Sequence, residues 1–150
     1  MIKSVIFSLS MLLLVALTDC SEPEPLMNTY RVSITNVSGN RFDLSLFQGG
    51  QEFETTNLET SESYVCEYTS ESFKGFLPCS NGTLIGVDSM RVEFEENIGY
   101  ICTVGSNSDQ FSFQGGACFF SNNSFIENEL DEFDFQITPQ HFLNAHSLAD

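Results

Sequence analysis

The stretch TYRVSITNV, residues 29–37, decides the fold. Its apolar members Tyr30, Val32 and Ile34 recur at every second position, with Arg31, Ser33 and Thr35 between them. Successive side chains of an extended chain point to opposite faces, so this period sends one row into a core and the other into solvent. The same beat returns in RFDLSLF (41–47), with Phe42, Leu44 and Leu46 on one face. It returns again in SMRVEFE (89–95), with Met90, Val92 and Phe94, and in EFDFQIT (132–138), with Phe133, Phe135 and Ile137. Alternation built from aromatic and β-branched residues reads as half-buried strands of antiparallel sheets.

Turn chemistry punctuates these runs. Ser38-Gly39-Asn40, Gly49-Gly50, Ser80-Asn81-Gly82, Asn97-Ile98-Gly99 and Gly115-Gly116 all combine residues that tolerate tight or left-handed backbone. SYVCEY (63–68), YICTV (100–104) and ACFF (117–120) read as further strands. Some seven or eight short strands define an all-β domain, with an antiparallel sandwich preferred over an Ig-like fold or a small barrel. An immunoglobulin core would favour a buried Trp, and the chain has none. Near the C-terminus, Thr138 followed by Pro139 has the form of an N-cap with proline at the first helical position. A short helix of about two turns is expected over PQHFLNAHSL, packing Phe142, Leu143 and Ala145 on the sheet.

Composition bounds what the domain does. The chain carries 21 Asp plus Glu against 5 Lys plus Arg, a net charge of −16. Such a surface repels phosphate backbones, so nucleic acid is not an expected partner. It is not a disordered acidic tail either: 41% of the residues are hydrophobic and 15 are Phe, enough to build a core.

The N-terminal segment predicts an address. Lys3 precedes VIFSLSMLLLVAL, residues 5–17, the charged start and short apolar run of an export signal over 1–19. The run falls short of the roughly twenty apolar residues that span a bilayer. Ala16 and Thr18 offer small side chains for ordinary cleavage. Leu17-Thr18-Asp19-Cys20 instead resembles a bacterial lipobox, with Asp19 departing from the small residue usual there. Cysteine arithmetic favours acylation of Cys20: five cysteines are odd, and removing one leaves an even set. A membrane lipid on Cys20 would then be followed by an acidic, proline-stiffened tether over 20–28 and a single β domain over 29–150.

The remaining cysteines, Cys66, Cys79, Cys102 and Cys118, can pair in three ways. In an exported chain two disulfides are expected, with the local pairing Cys66–Cys79 and Cys102–Cys118 preferred for its short, turn-rich loops. Little else has the spacing of chemistry, and no phosphate loop or nucleophile elbow is present. His141 and His146 lie five apart, on different faces of a helix, and read as two surface histidines rather than metal ligands. Glu93 with Glu95, sharing one strand face, and Asp131 with Asp134 are weak candidates for Ca²⁺; no other cofactor is expected. The same pairs are the acid and base of an alternative reading, a small envelope glycan hydrolase. Sequons at Asn36, Asn81 and Asn122 support a further alternative, a eukaryotic secreted, disulfide-bonded glycoprotein.

The layout resembles the small uncharacterised lipoproteins of Bacteroidetes, of flavobacterial type. The likeness is carried by the signal ending in Cys20-Ser21, the acidic tether and YRVSITNVSGNRFDLSLF. LETSESYVCEY, SMRVEFE and the closing FDFQITPQHFLNAHSL extend it. It implies an exported β domain anchored in the bacterial outer membrane, periplasmic or surface-facing, and it carries over no catalytic residues. The resulting expectation is a non-enzymatic binding or structural module for an envelope or extracellular ligand.

Overall fold

The computed structural model describes residues 25–79, 86–104, 113, 118 and 124–148. Nine strands and one short helix are present among them: β1 (Asn28–Asn36), β2 (Phe42–Gln48), β3 (Gln51–Leu58), β4 (Ser63–Ser70), β5 (Ser89–Phe94), β6 (Ile98–Thr103), β7 (Ile126–Glu129), β8 (Glu132–Ile137), α1 (Pro139–Leu143) and β9 (His146–Ser147). They form an all-β sandwich. One sheet has the order β4-β1-β8-β7 and the other β3-β2-β5-β6-β9, so neither closes into a barrel. The expected ACFF strand, Cys20 and the turns at 80–82 and 115–116 lie outside the described residues.

The alternating rows become the facing inner surfaces. Val32, Ile34, Phe42, Leu44, Leu46, Met90, Val92, Phe94 and Ile137 are each at most 2% exposed and belong to one continuous cluster. Each apolar side chain so buried contributes about 1.5–3 kcal/mol, which is why the period of two sets each strand's orientation. Six strand pairs are antiparallel, and one differs from the antiparallel expectation: β1 and β8 run parallel, from Arg31↔Glu132 to Asn36↔Ile137. A parallel neighbour needs a long crossover, and here most of the chain intervenes between the two strands.

Connections follow their residue types. Gly49 and Gly50 join β2 to β3 with φ of 60° and 74°, the left-handed pair a two-residue hairpin demands. The Gly49 amide donates to the Asp88 carboxylate, fixing that hairpin to the start of β5. The turn expected at 97–99 lies earlier, at Glu95–Asn97, with Glu96 and Asn97 at φ 68° and 57°. Gly99 is consequently a strand residue. A Cβ placed on it would stand 1.9 Å from the Val92 carbonyl oxygen and 3.0 Å from Leu148 Cδ1. Gly99→Ala is therefore expected to destabilise the domain by about 1–3 kcal/mol through overpacking, read as a lower denaturation midpoint at constant m. Gly39→Ala meets no neighbour and costs only the strain of φ 82°.

Three strands were not legible from alternation. β3 has half its length exposed, all four residues of β7 are exposed, and β9 is only two residues long. The helix also ends sooner than expected, at Leu143, because His146 and Ser147 pair with Gly99 and Ile98 of β6. Phe142 and Ala145 pack on the core as expected, whereas Leu143 is 73% exposed.

Candidate functional site

The outer face of the first sheet gathers polar groups by register. Ser33 on β1 lies opposite Asp134 on β8 and Val65 on β4, and Asp134 lies opposite Ile126 on β7. Asp134 is buried, and its Oδ1 accepts from Ser33 Oγ and Thr35 Oγ1, both at 2.7 Å. Thr35 Oγ1 also lies 2.8 Å from Ser63 Oγ, which extends the chain of hydroxyls onto β4. One register step away, Arg31 stands between Glu67 at 3.7 Å and Glu132 at 3.9 Å. A shallow cleft of about 220 Å³ runs along this face past Arg31, Ser33, Ser63, Asn128 and Glu132. The arrangement suits hydrogen bonding to a polar ligand.

The second sheet has its own polar rows. Asn57 Nδ2 donates to Asp43 Oδ1 at 2.7 Å, and Asp43 lies opposite Glu93, which the Arg91 guanidinium contacts. Ser45 and Thr55 hydroxyls meet at 2.8 Å. Glu95 has left β5 for the following turn, where Arg41 approaches it at 3.6 Å. The expectation that Glu93 and Glu95 share a strand face is thus corrected: β5 ends at Phe94. Asp131 occupies the β7–β8 turn at φ 62°, a conformation Asp accepts more readily than most residues, and its carbonyl receives the Arg31 amide at 2.9 Å. Asp131 and Asp134 therefore hold separate posts in turn and sheet. Among the described residues no three His, Cys, Asp or Glu side chains converge where a metal ion would sit. No described helix is long and apolar enough to cross a membrane.

Two structural centres escaped the sequence reading. The first is Asn36, fully buried where β1 ends. Its Nδ2 donates to the carbonyls of Asn40 at 2.8 Å and Leu58 at 2.9 Å. Its Oδ1 accepts from the Ser38 amide at 3.0 Å and the Ser38 hydroxyl at 2.7 Å. Its backbone bonds Ser61 and Glu62, so one residue braces both the β1–β2 loop and the corner where the chain passes between sheets. The Asn36 sequon is thereby structural, since its amide nitrogen has no room for a glycan; Asn81 and Asn122 lie outside the described residues. A second brace, between the two sheets, is Tyr64 on β4, whose phenol donates to Glu54 Oε2 on β3 at 2.9 Å. Burial, reinforced by that carboxylate, pushes its pKa well above the ordinary tyrosine value.

The second centre is His141. It is half-buried, not a surface histidine, and it completes a capping box: the His141 amide donates to Thr138 Oγ1 at 3.4 Å and the Thr138 amide donates to His141 Nδ1 at 3.0 Å. The spacing Thr138-Pro139-Gln140-His141 held that signal, with His in the place usual for Glu or Gln. Its ring lies nearly parallel to Phe135 at 6.0 Å and edge-on to Phe113 at 5.0 Å. Tyr100, stacked on Phe113 at 3.9 Å, donates its hydroxyl to the His141 carbonyl. His146 is exposed, with its ring edge-on to Tyr100 at 5.7 Å.

Two disulfides tie the periphery to the sheets. Cys66 on β4 bonds Cys79, with Cα atoms 5.7 Å apart, and Cys102 on β6 bonds Cys118, with Cα atoms 5.8 Å apart. Both separations lie within the range a disulfide spans without backbone movement. Fold and bonds together define a disulfide-stapled β-sandwich with polar outer faces. No protein-family model matches the chain, and no curated protein or solved structure matches it.

Proposed function

We propose that the protein is exported, acylated at Cys20 and held at the bacterial outer membrane, where it acts as a non-enzymatic binding or structural module. The observation that carries this reading is the pair of disulfides, which form and persist in oxidising compartments outside the cytoplasm. The apolar run ahead of Cys20 and the acidic, proline-containing stretch behind it supply the signal and the tether. Outer sheet faces tiled with hydroxyl, amide and charged groups suit a polar envelope ligand such as polysaccharide better than an apolar one.

Cys20→Ser tests the anchor. A thioether-linked diacylglycerol with a further N-acyl chain makes attachment stable, whereas one chain does not. The substituted chain is expected to leave the detergent phase and accumulate as an unprocessed or soluble form. Wild-type partitioning of Cys20→Ser would overturn the lipid anchor. Saturable binding of the mature domain to polysaccharide or envelope extract would support the binding role; glycan turnover abolished by Glu95→Gln would replace it with hydrolysis.

A further inference from the structure

We propose that His141 is a proton-sensitive latch: its neutral imidazole holds the segment Thr138–Leu148 over the core, and protonation releases that segment. The geometry requires a lone pair on Nδ1, because that atom accepts the Thr138 amide at 3.0 Å. A proton on Nδ1 would set donor against donor and remove half of the capping box. Apart from the Gln136 backbone, the ring's neighbours do little to welcome a charge. From β8 it faces Phe135, and Phe113 supplies a second wall at 5.0 Å. Among the described residues, the titratable groups on this side of the packed elements are Tyr100 on β6, at 6.4 Å, and His146 on β9, which stands edge-on to Tyr100; the β8 carboxylates face away, Asp134 to Ser33 and Thr35 and Glu132 to Arg31. Burial raises the Tyr100 pKa, so its phenol stays neutral through the acid range.

Other contacts among the described residues also hold the segment. Tyr100 Oη donates to the His141 carbonyl, the Leu148 amide donates to the Asn97 carbonyl at 2.8 Å, and Phe142 rests edge-on against Phe94 at 5.2 Å. β9 contributes only the pairs Ile98↔Ser147 and Gly99↔His146. A short terminal segment of this kind, with a two-residue strand, opens locally without unfolding the sandwich. Its release would uncover Tyr100, Phe94 and Phe113, an aromatic surface that the closed state hides.

The direction in pH follows from the burial of the ring. Burial lowers the His141 pKa below 6.5, and the backbone hydrogen bond at Gln136 opposes this only in part. The latch is therefore fully closed above 6.5, where folded and unfolded forms are both neutral, and opens as pH falls through the lowered value.

Hydrogen exchange on the intact chain tests the latch, with protection corrected for the intrinsic pH dependence of exchange and compared between about pH 7.5 and about pH 5, the range in which histidine titrates. In the wild type, protection of residues 138–148 is expected to fall roughly fivefold relative to β1 and β2, the effect of losing one capping hydrogen bond. His141→Gln keeps an acceptor at the same helix position without the titration, and is expected to change less than about twofold. His146→Asn should retain the wild-type response. Equal losses in wild type and His141→Gln, or no loss in either, would overturn the latch. Should His141→Gln fail to fold, NMR of the wild type decides: the ring of His141 and the amide of Thr138 must share one midpoint, and separate midpoints would exclude the mechanism.

Discussion

Asn36→Ala is expected to lower stability by about 3–5 kcal/mol, out of the roughly 5–15 kcal/mol that holds a domain of this kind together. The side chain is wholly inaccessible and makes four hydrogen bonds, two given and two received. Alanine would leave the Leu58 carbonyl and the Ser38 amide without this partner, and the Asn40 carbonyl with the Ser38 hydroxyl alone. Each orphaned buried group costs about 1–3 kcal/mol, since no water replaces the lost partner. Asn36→Asp is expected to be no milder, because it keeps the acceptor but turns a carboxylate towards two carbonyl oxygens. Ser38→Ala removes only a hydroxyl and should cost about 1 kcal/mol. Denaturant midpoints at constant m check the series, and an Asn36→Ala loss no larger than that of Ser38→Ala would refute the bracing role.

Removing both disulfides should have the larger effect of the two. The bonds close loops of 13 and 16 residues, and each restricts the unfolded chain by about 3 kcal/mol in the chain-entropy description. They join different sheets, Cys66 on β4 and Cys102 on β6, so their contributions should add to about 6 kcal/mol. Replacement of all four cysteines by alanine is therefore expected to leave a chain that is largely unfolded at 37 °C, whereas either single bridge suffices for a folded but less stable domain. Thermal denaturation of the three variants measures this, and non-reducing peptide mapping of the wild type checks the connectivity. A full set of alanines that melts within a few degrees of the wild type would show that the sheets hold without their staples.

A good deal of this was legible because it rests on local periodicity. Tyr30, Val32 and Ile34 alternate with polar neighbours, and burial leaves an alternating strand only one stable orientation. The Gly49-Gly50 hairpin was equally readable, since only residues at ease with positive φ fit there. β7 was invisible for the converse reason. Its four exposed residues carry no apolar row, and it exists because Ile126 and Glu127 pair with Asp134 and Phe133 of β8.

By itself the sequence determined the all-β class, the inner faces of β1, β2, β5 and β8, and the capped start of α1 at Thr138. Each of these depends on residues within a few positions of one another. The tertiary structure alone decided the parallel pairing of β1 with β8, which unites residues about a hundred apart: the Ser33 hydroxyl reaches Asp134 across 101 positions. It also decided the fate of the carboxylates, which the topology distributes between two sheet faces and two turns. Most of all it decided Asn36 and His141. An asparagine in a turn-rich stretch and a histidine near a chain end look like surface residues until distant segments close over them. Only that closure withdraws water, and with water gone their hydrogen bonds become obligatory.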